Sequence, residues 1–185
     1  MLKNFFSFVF ELIKIVVISL VIIIPIRYFL IQPFYVKGAS MEPNFHDHEY
    51  LIIDEISYRF KDPGRGDIIV FRYPVNPQEY FIKRIVALPG EKVQIKDGQV
   101  LIYNDVSLDG KVLDESYLSD GIKTYSLSDK IVNLGEDEYF VLGDNRGHSF
   151  DSRNWGALDG EEIIGRAVLR AWPFNGFGFI QEPNY

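Results

Sequence analysis

Ser40 stands in the stretch KGASMEPNF, residues 37–45, between Ala39 and Met41. A hydroxyl is a weak nucleophile until a neighbouring base takes its proton. Ser40 is therefore interesting only if the chain can supply that base. Three histidines, His46, His48 and His148, allow a Ser-His-Asp arrangement on paper. The HDH triplet at 46–48 also raises a metal, but two histidines around an aspartate make a polar loop. No HExxH pattern or third ligand accompanies them.

Lys83, in YFIKRIVALPG (residues 80–90), is the other candidate base. Read as a strand, this segment puts Phe81, Lys83 and Ile85 on one face and Ile82, Arg84 and Val86 on the other. Each face then carries one cation among apolar neighbours. Two readings are open. In the first, the segment is an edge strand whose cations snorkel to water. In the second, Lys83 is buried and kept neutral by desolvation. Moving a lysine from about 10.4 to 7–8 disfavours the charged form by roughly 4 kcal/mol. A neutral amine of that kind can serve as general base toward a serine.

The third polar concentration is GDNRGHSFDSR, residues 143–153. It is either a solvated loop held by Asx turns and ion pairs or a wall that supplies hydrogen bonds to a site.

These residues need a scaffold, and the rest of the chain describes one. The 185 residues suit one domain with a modest insertion. Hydrophobic residues make up 47% and aromatic ones 15%, with eleven tyrosines and fifteen phenylalanines, a composition that leans toward β-structure. There is no cysteine, which excludes disulfides, thiolate catalysis and cysteine-ligated metals. The net charge of −7 without a basic run argues against a nucleic-acid partner.

Residues 5–26, FFSFVFELIKIVVISLVIIIPI, form a long apolar run. As a helix it would span roughly 33 Å, enough to cross a bilayer core. Its length and β-branched content favour an uncleaved anchor over a signal peptide. Residues 1–4 are then a short tail. Beyond residue 26 lie 17 basic and 25 acidic residues, so the expected topology has the tail in the cytoplasm and an acidic domain outside. From about residue 33, short apolar runs alternate with Gly, Pro, Asn and Asp punctuation, the pattern of an antiparallel β domain. Asp97-Gly98 inside VQIKDGQVLIY is a two-residue hairpin signal. Residues 104–138 hold nine acidic and three basic residues and a weak apolar pattern. The expected division is a catalytic β core at 33–90 and 139–185, with an inserted smaller subdomain at 91–138. The aromatic, nearly uncharged AWPFNGFGFI, residues 171–180, is either core packing at a sheet edge or a rim resting in the membrane interface.

Taken in order, the anchor, SMEP, RGDIIVF, FIKRIVALPG and GDNRGHSFDSR resemble the bacterial type I signal peptidases, which are membrane-bound Ser-Lys endopeptidases. The resemblance runs from the anchor to about residue 173, and residues 91–138 carry no specific match. It implies an antiparallel β signal-peptidase-type core with one N-terminal transmembrane helix. It implies Ser40 as nucleophile, with its backbone N–H in the oxyanion hole, and Lys83 as general base. Ser149 would orient the lysine. Asp151 and Arg153 would form an ion pair behind the site, with Asp144 and Arg146 as further members of that network. Gly143 and Asn145 would shape the turn of this wall, and Met41 would pack beside the nucleophile. Arg65, Gly66 and Asp67 would open a core strand. Some members place a serine two positions before the nucleophile; here that position is Gly38, as in the Gram-positive-type pattern, which leaves a second oxyanion donor to be found.

The implied activity is removal of signal peptides from secretory preproteins after small residues of the Ala-x-Ala type, without cofactor or metal. Membrane lipid and the secretion translocase are the further partners implied, at the extracytoplasmic face of the cell membrane. Two rival readings are a self-cleaving repressor-type Ser-Lys protease and a membrane-tethered, catalytically dead scaffold. The anchor and the absence of a basic helical module oppose the first. Intact Ser40, Lys83 and Ser149 oppose the second.

Overall fold

A computed structural model describes residues 2–29, 32–181 and 183. Met1 of the expected tail and Tyr185, the end of the expected core, lie outside these. The apolar run folds as helix α1, Leu2–Phe29. Its segment Phe5–Ile24 has a mean hydropathy of 2.7 and is not buried against the rest of the protein. By length and composition it is able to cross a bilayer.

The remainder is mainly antiparallel β. The strands are β1 (Gln32–Tyr35), β2 (Tyr50–Asp54), β3 (Ile68–Tyr73), β4 (Asn76–Ala87), β5 (Lys92–Lys96), β6 (Gln99–Asn104), β7 (Ser107–Val112), β8 (Val132–Asn133), β9 (Glu138–Leu142), β10 (Leu158–Asp159), β11 (Ile163–Trp172) and β12 (Gly178–Phe179). A short helix α2, Ser152–Trp155, follows the GDN stretch. Strands β1-β2-β11-β3-β4-β9-β10 form one sheet, with β12 added on β11; β7-β6-β5-β8 form a second.

The two residues between β5 and β6 close a tight hairpin. Asp97 and Gly98 both take positive φ, +53° and +82°, the backbone that a primed two-residue turn requires. The register Lys96↔Gln99 follows from it.

Strand β4 is the spine of the large sheet. It lies between β3 and β9, which overturns the edge-strand reading of residues 80–86. Its first residues are exposed, and those from Ile82 to Ala87 are buried. Ile82 joins the cluster of Val36, Met41, Leu51 and Val70. Ile85 packs on the opposite face with Ile69, Phe71 and Val141, with Phe81 against them. The alternation breaks between Ile85 and Ala87, where the pairing with β9 shifts. Val86 and Ala87 then both reach a third cluster, shared with Val93, Ile95, Val100 and Ile102 of the small sheet. A bulge inserts an extra residue and re-aims the side chains that follow, so this one lets β4 serve three cores.

The chain after β11 settles the choice between core packing and exposure for its rings. β12 pairs with β11, and Ile180 packs on the core. Trp172, Phe174, Phe177 and Phe179, however, are 47%, 75%, 61% and 83% exposed. Core packing therefore accounts for Ile180 and not for the aromatic rings.

Candidate active site

Lys83 lies on β4 opposite Ile69 of β3, and Ser40 sits in a turn between β1 and β2. The fold brings the two together across 43 residues: Lys83 Nζ is 2.8 Å from Ser40 Oγ. The ammonium also donates to the carbonyl of Ile82 at 2.9 Å. Lys83 is only 4% exposed, and burial lowers its pKa to about 8 against the opposing pull of the Asp151 and Asp144 carboxylates. Desolvation disfavours the charged amine because no protein dipole replaces its full hydration shell.

The turn that carries Ser40 is held from two sides. Asn145 donates its backbone N–H to the carbonyl of Ser40 at 3.0 Å and its side-chain amide to the carbonyl of Ala39 at 3.0 Å. From the other side, Asp47 Oδ1 accepts the Gly38 N–H at 2.8 Å. Gly38 has φ +93°, a left-handed conformation that favours glycine. Because Asp47 takes its N–H, that group is not available to an oxyanion here. The Ser40 N–H has no acceptor among the described residues. Met41, beside Ser40, is fully buried in the apolar cluster beneath.

The wall opposite is the 143–153 stretch. Gly143 is confined there, because a Cβ on it would overlap Ser149 Oγ and the Ser40 carbonyl. Its N–H donates to Asp151 Oδ2 at 3.0 Å. Asp151 caps α2 and pairs with Arg153, whose Nε is 2.8 Å from Oδ1. Burial pushes the Asp151 carboxyl up, and the Arg153 pair and the Gly143 N–H outweigh it, so its pKa is lowered. Ser149 Oγ is buried and has no hydrogen-bond partner among the described residues, although it stands near enough to Asp151 to favour the ionised carboxylate. The bond from Ser149 to the lysine implied by the resemblance is thus not formed.

Asp144 and Arg146 belong to this wall but do not pair with each other. Asp144 takes a two-pronged bond from Arg84, Nε at 2.8 Å and Nη2 at 2.7 Å. Arg146 pairs with Glu115 at 2.5 Å. The RGD stretch is likewise structural in its contacts: Arg65 binds Glu91, and Asp67 accepts from Tyr58 and the Gly64 N–H. Arg84, Glu115, Tyr117 and Thr124 are site neighbours that sequence reading did not single out. Only Arg84 left a trace there, as the second cation on a strand of apolar residues.

A cleft of about 310 Å³ opens over Ser40 and Lys83, lined by Phe34, Tyr35, Gly38, Phe81, Ile82 and Phe150 among others. His148 stands at this cleft, with Nδ1 3.4 Å from Asn145 Oδ1. His46 and His48 face acidic neighbours, Glu49 and Asp47. The arrangement is a serine hydroxyl and a partly neutral amine in contact, in a largely apolar cleft that Lys37 and His148 also line.

The profile of the family described as signal peptidase, peptidase S26, matches residues 9–172. A probable signal peptidase I of Synechocystis sp. is 38% identical over 177 residues, covering 93% of this chain and 77% of that protein. The signal peptidase I of Leptolyngbya laminosa is 40% identical, covering 94% and 84%. That of Bacillus amyloliquefaciens is 37% identical, covering 91% of each. A crystal structure of a signal peptidase I from Enterococcus faecalis V583 is 32% identical, covers 58% of this chain and 98% of its own, and aligns with a TM-score of 0.47. With a family profile spanning most of its length and relatives this similar along more than nine-tenths of it, the chain belongs to the signal peptidase family, peptidase S26, as a type I signal peptidase.

Proposed function

We propose that Ser40 and Lys83 are the catalytic dyad with which this signal peptidase cuts secretory preproteins. The observation that carries the proposal is the 2.8 Å contact between Lys83 Nζ and Ser40 Oγ, made by an amine whose burial leaves it largely neutral above pH 8. When the amine is neutral, the same contact runs from hydroxyl to nitrogen. As Ser40 Oγ bonds to the scissile carbonyl carbon, Lys83 takes its proton. Lys83 then protonates the leaving amine of the mature protein as the C–N bond breaks. In the second half it takes a proton from the water that attacks the acyl-enzyme carbonyl; the ester bond to Ser40 Oγ then breaks, Lys83 returns that proton to Oγ, and the signal peptide leaves with a new carboxylate.

The Ser40 N–H is one oxyanion donor. Asn145, Gly143, Asp151 and Arg153 fix its position by the bonds described, and Ser149 fills the space between Gly143 and Asp151. The cleft over the dyad is bounded by Phe34, Gly38, Phe81 and Ile82. Apolar walls this close to Ser40 suit small residues before the cut, of the Ala-x-Ala type.

The apolar helix α1 anchors the chain, with residues 1–4 cytoplasmic and the acidic β region outside the cell membrane, where translocated preproteins emerge beside the translocase. The catalytic part is 33–90 with 139–185, and 91–138 is the insertion. The exposed rings of Trp172, Phe174, Phe177 and Phe179 rest in lipid headgroups, where aromatic side chains are favoured.

A preprotein cleavage assay tests the dyad. Ser40→Ala and Lys83→Ala abolish turnover with the fold retained, and the triple change of His46, His48 and His148 to Ala largely preserves it. Full activity in Lys83→Ala would overturn the mechanism. Deletion of residues 174–180 reduces liposome binding by the folded β region, and unchanged binding removes the membrane rim.

A further inference from the structure

The wall that grips the nucleophile is itself gripped, and the holder comes from the insertion. Arg146 is buried, with a side chain only 1% exposed. Its Nε donates to the carbonyl of Gly143 at 3.0 Å. Its other side-chain hydrogen bonds go to one stretch of the insertion: Nη1 to Thr124 Oγ1, and Nη2 to Glu115 Oε1 at 2.5 Å and to Tyr117 OH at 3.0 Å. Asn145, next to Arg146 and two residues from Gly143, is the residue that holds the carbonyls of Ser40 and Ala39.

The same stretch reaches the other flank. The ring of Tyr117 lies 4.0 Å under the Arg84 guanidinium, one residue from Lys83. The Tyr117 carbonyl accepts from Asn44 Nδ2 at 3.0 Å, and that amide also donates to Asp144 Oδ2 at 2.8 Å. Farther along, the carbonyl of Tyr125 accepts from Arg153 at 3.1 Å. The stretch is tied in turn to the hairpin tip by the Thr124 N–H, which donates to the carbonyl of Gly98 at 2.9 Å. Thr124 is 1% exposed, although most of the residues around it are at the surface.

We propose that residues 115–125 form a strap across the active-site wall, and that Thr124, Glu115 and Tyr117 are positioning residues for the peptidase reaction. They act through Arg146 on the 143–145 turn, and so on the placement of Ser40. The inference rests on Ser40 and Lys83 being the dyad. It gives the insertion a part in catalysis: its sheet carries the strap, and the strap fixes the geometry in which the hydroxyl meets the amine. Misplacement of a reacting group by about 1 Å is enough to lose 10²-fold in rate, so a loosened wall is read in turnover rather than in substrate affinity.

The test uses the full chain in detergent or vesicles with a preprotein substrate and the dyad intact. Thr124→Val keeps the shape and removes the acceptor for Arg146; Tyr117→Leu removes both the hydroxyl and the ring. Each is expected to lower kcat about tenfold with KM within about twofold. The acid limb of the pH profile moves upward, because water admitted beside Lys83 favours its charged form. Thr124→Ser restores kcat. Leu127→Ser, a change at a fully solvated position in the same insertion, leaves all of these unchanged. Asn145→Ala combined with Thr124→Val costs less than the product of the two single effects, since both act on one turn.

Unchanged kcat and pH profile in folded Thr124→Val and Tyr117→Leu overturn the strap. So does a loss that only tracks the folded fraction, with the acid limb in place and the two effects multiplying. Should Tyr117→Leu fail to fold, Thr124→Val against Thr124→Ser still decides. Failure of the dyad itself has a different signature: activity surviving in Lys83→Ala, whatever the strap variants do.

Discussion

Lys83 and Arg84 are consecutive residues of one strand, both cationic and both buried, at 4% and 2% exposure. They face opposite sides of the sheet, and the protein treats them in opposite ways. The Arg84 side is compensated in full. Asp144 takes two of its donors and the carbonyl of Gly66 a third at 3.0 Å, while the Tyr117 ring covers its face. On the Lys83 side the bonded partners are a hydroxyl and a carbonyl, with carboxylates only at longer range. A guanidinium is always charged and demands compensation. An amine can shed its proton, and an environment that withholds a carboxylate makes it do so. One face of β4 thus holds a buried cation as structure, and the other holds an amine whose pKa burial lowers to about 8, the group we propose as the base.

The largest test of that contrast removes the chemistry. Ser40→Ala or Lys83→Met is expected to lower kcat by more than about 10⁴-fold, as for members of other serine-protease catalytic sets. The melting temperature of Lys83→Met stays level or rises, because a buried cation without a carboxylate partner gives way to an apolar chain of similar length. Arg84→Met has the reverse signature. It leaves Asp144 buried and short of its main partner, which costs about 3–5 kcal/mol of stability by denaturant titration. Equal destabilisation by the two methionines would erase the distinction between the faces.

This contrast was only half legible in the sequence. The period-two alternation at 80–86 correctly puts Lys83 and Arg84 on opposite faces, and Asp97-Gly98 marks its hairpin without help from the rest of the chain. Such features depend on neighbours within a few residues. That β4 is central rather than an edge depends on β9, whose first residue is more than fifty positions downstream of the lysine. The partner of Arg84 is 60 residues away, and a spacing of that size carries no periodic signal. Asp144 and Arg146 sit two apart in a charged stretch and invite pairing, yet each turns to a different region. The segment 91–138 reads as an insertion because the apolar pattern of residues 104–138 is weak. Polar side chains are how it fastens, through Glu115, Tyr117 and Thr124. The Ser149 bond came from resemblance rather than from local geometry, and there the hydroxyl takes another position.

The pH dependence sharpens the same contrast at smaller amplitude. Below its pKa of about 8, Lys83 binds a proton and loses the lone pair that a base needs. The rate constant kcat/KM is therefore expected to fall about tenfold per pH unit on the acid side of that value and to level off above it. No comparable limb comes from Arg84, which stays charged throughout this range. A profile flat down to pH 5 would mean that Lys83 is not the base.

The smallest effect expected is at Phe81, whose ring lies 5.3 Å from Lys83 Nζ, a looser counterpart of Tyr117 under Arg84. An aromatic face favours the charged amine by about 0.5–1 kcal/mol. Phe81→Leu keeps an apolar wall and removes that attraction, so the neutral form gains and the acid limb moves down by roughly half a pH unit. The sign separates two roles for the ring. If Phe81 acts mainly by keeping water from the amine, the smaller leucine admits it and the limb moves up instead. Tyr117→Leu on the other face offers the control, since its ring covers a guanidinium with no proton to lose in this range. Any shift of the limb there must come through the wall at 143–145, and a downward shift at Phe81 with an upward one at Tyr117 would show that the two rings act on the lysine by different routes.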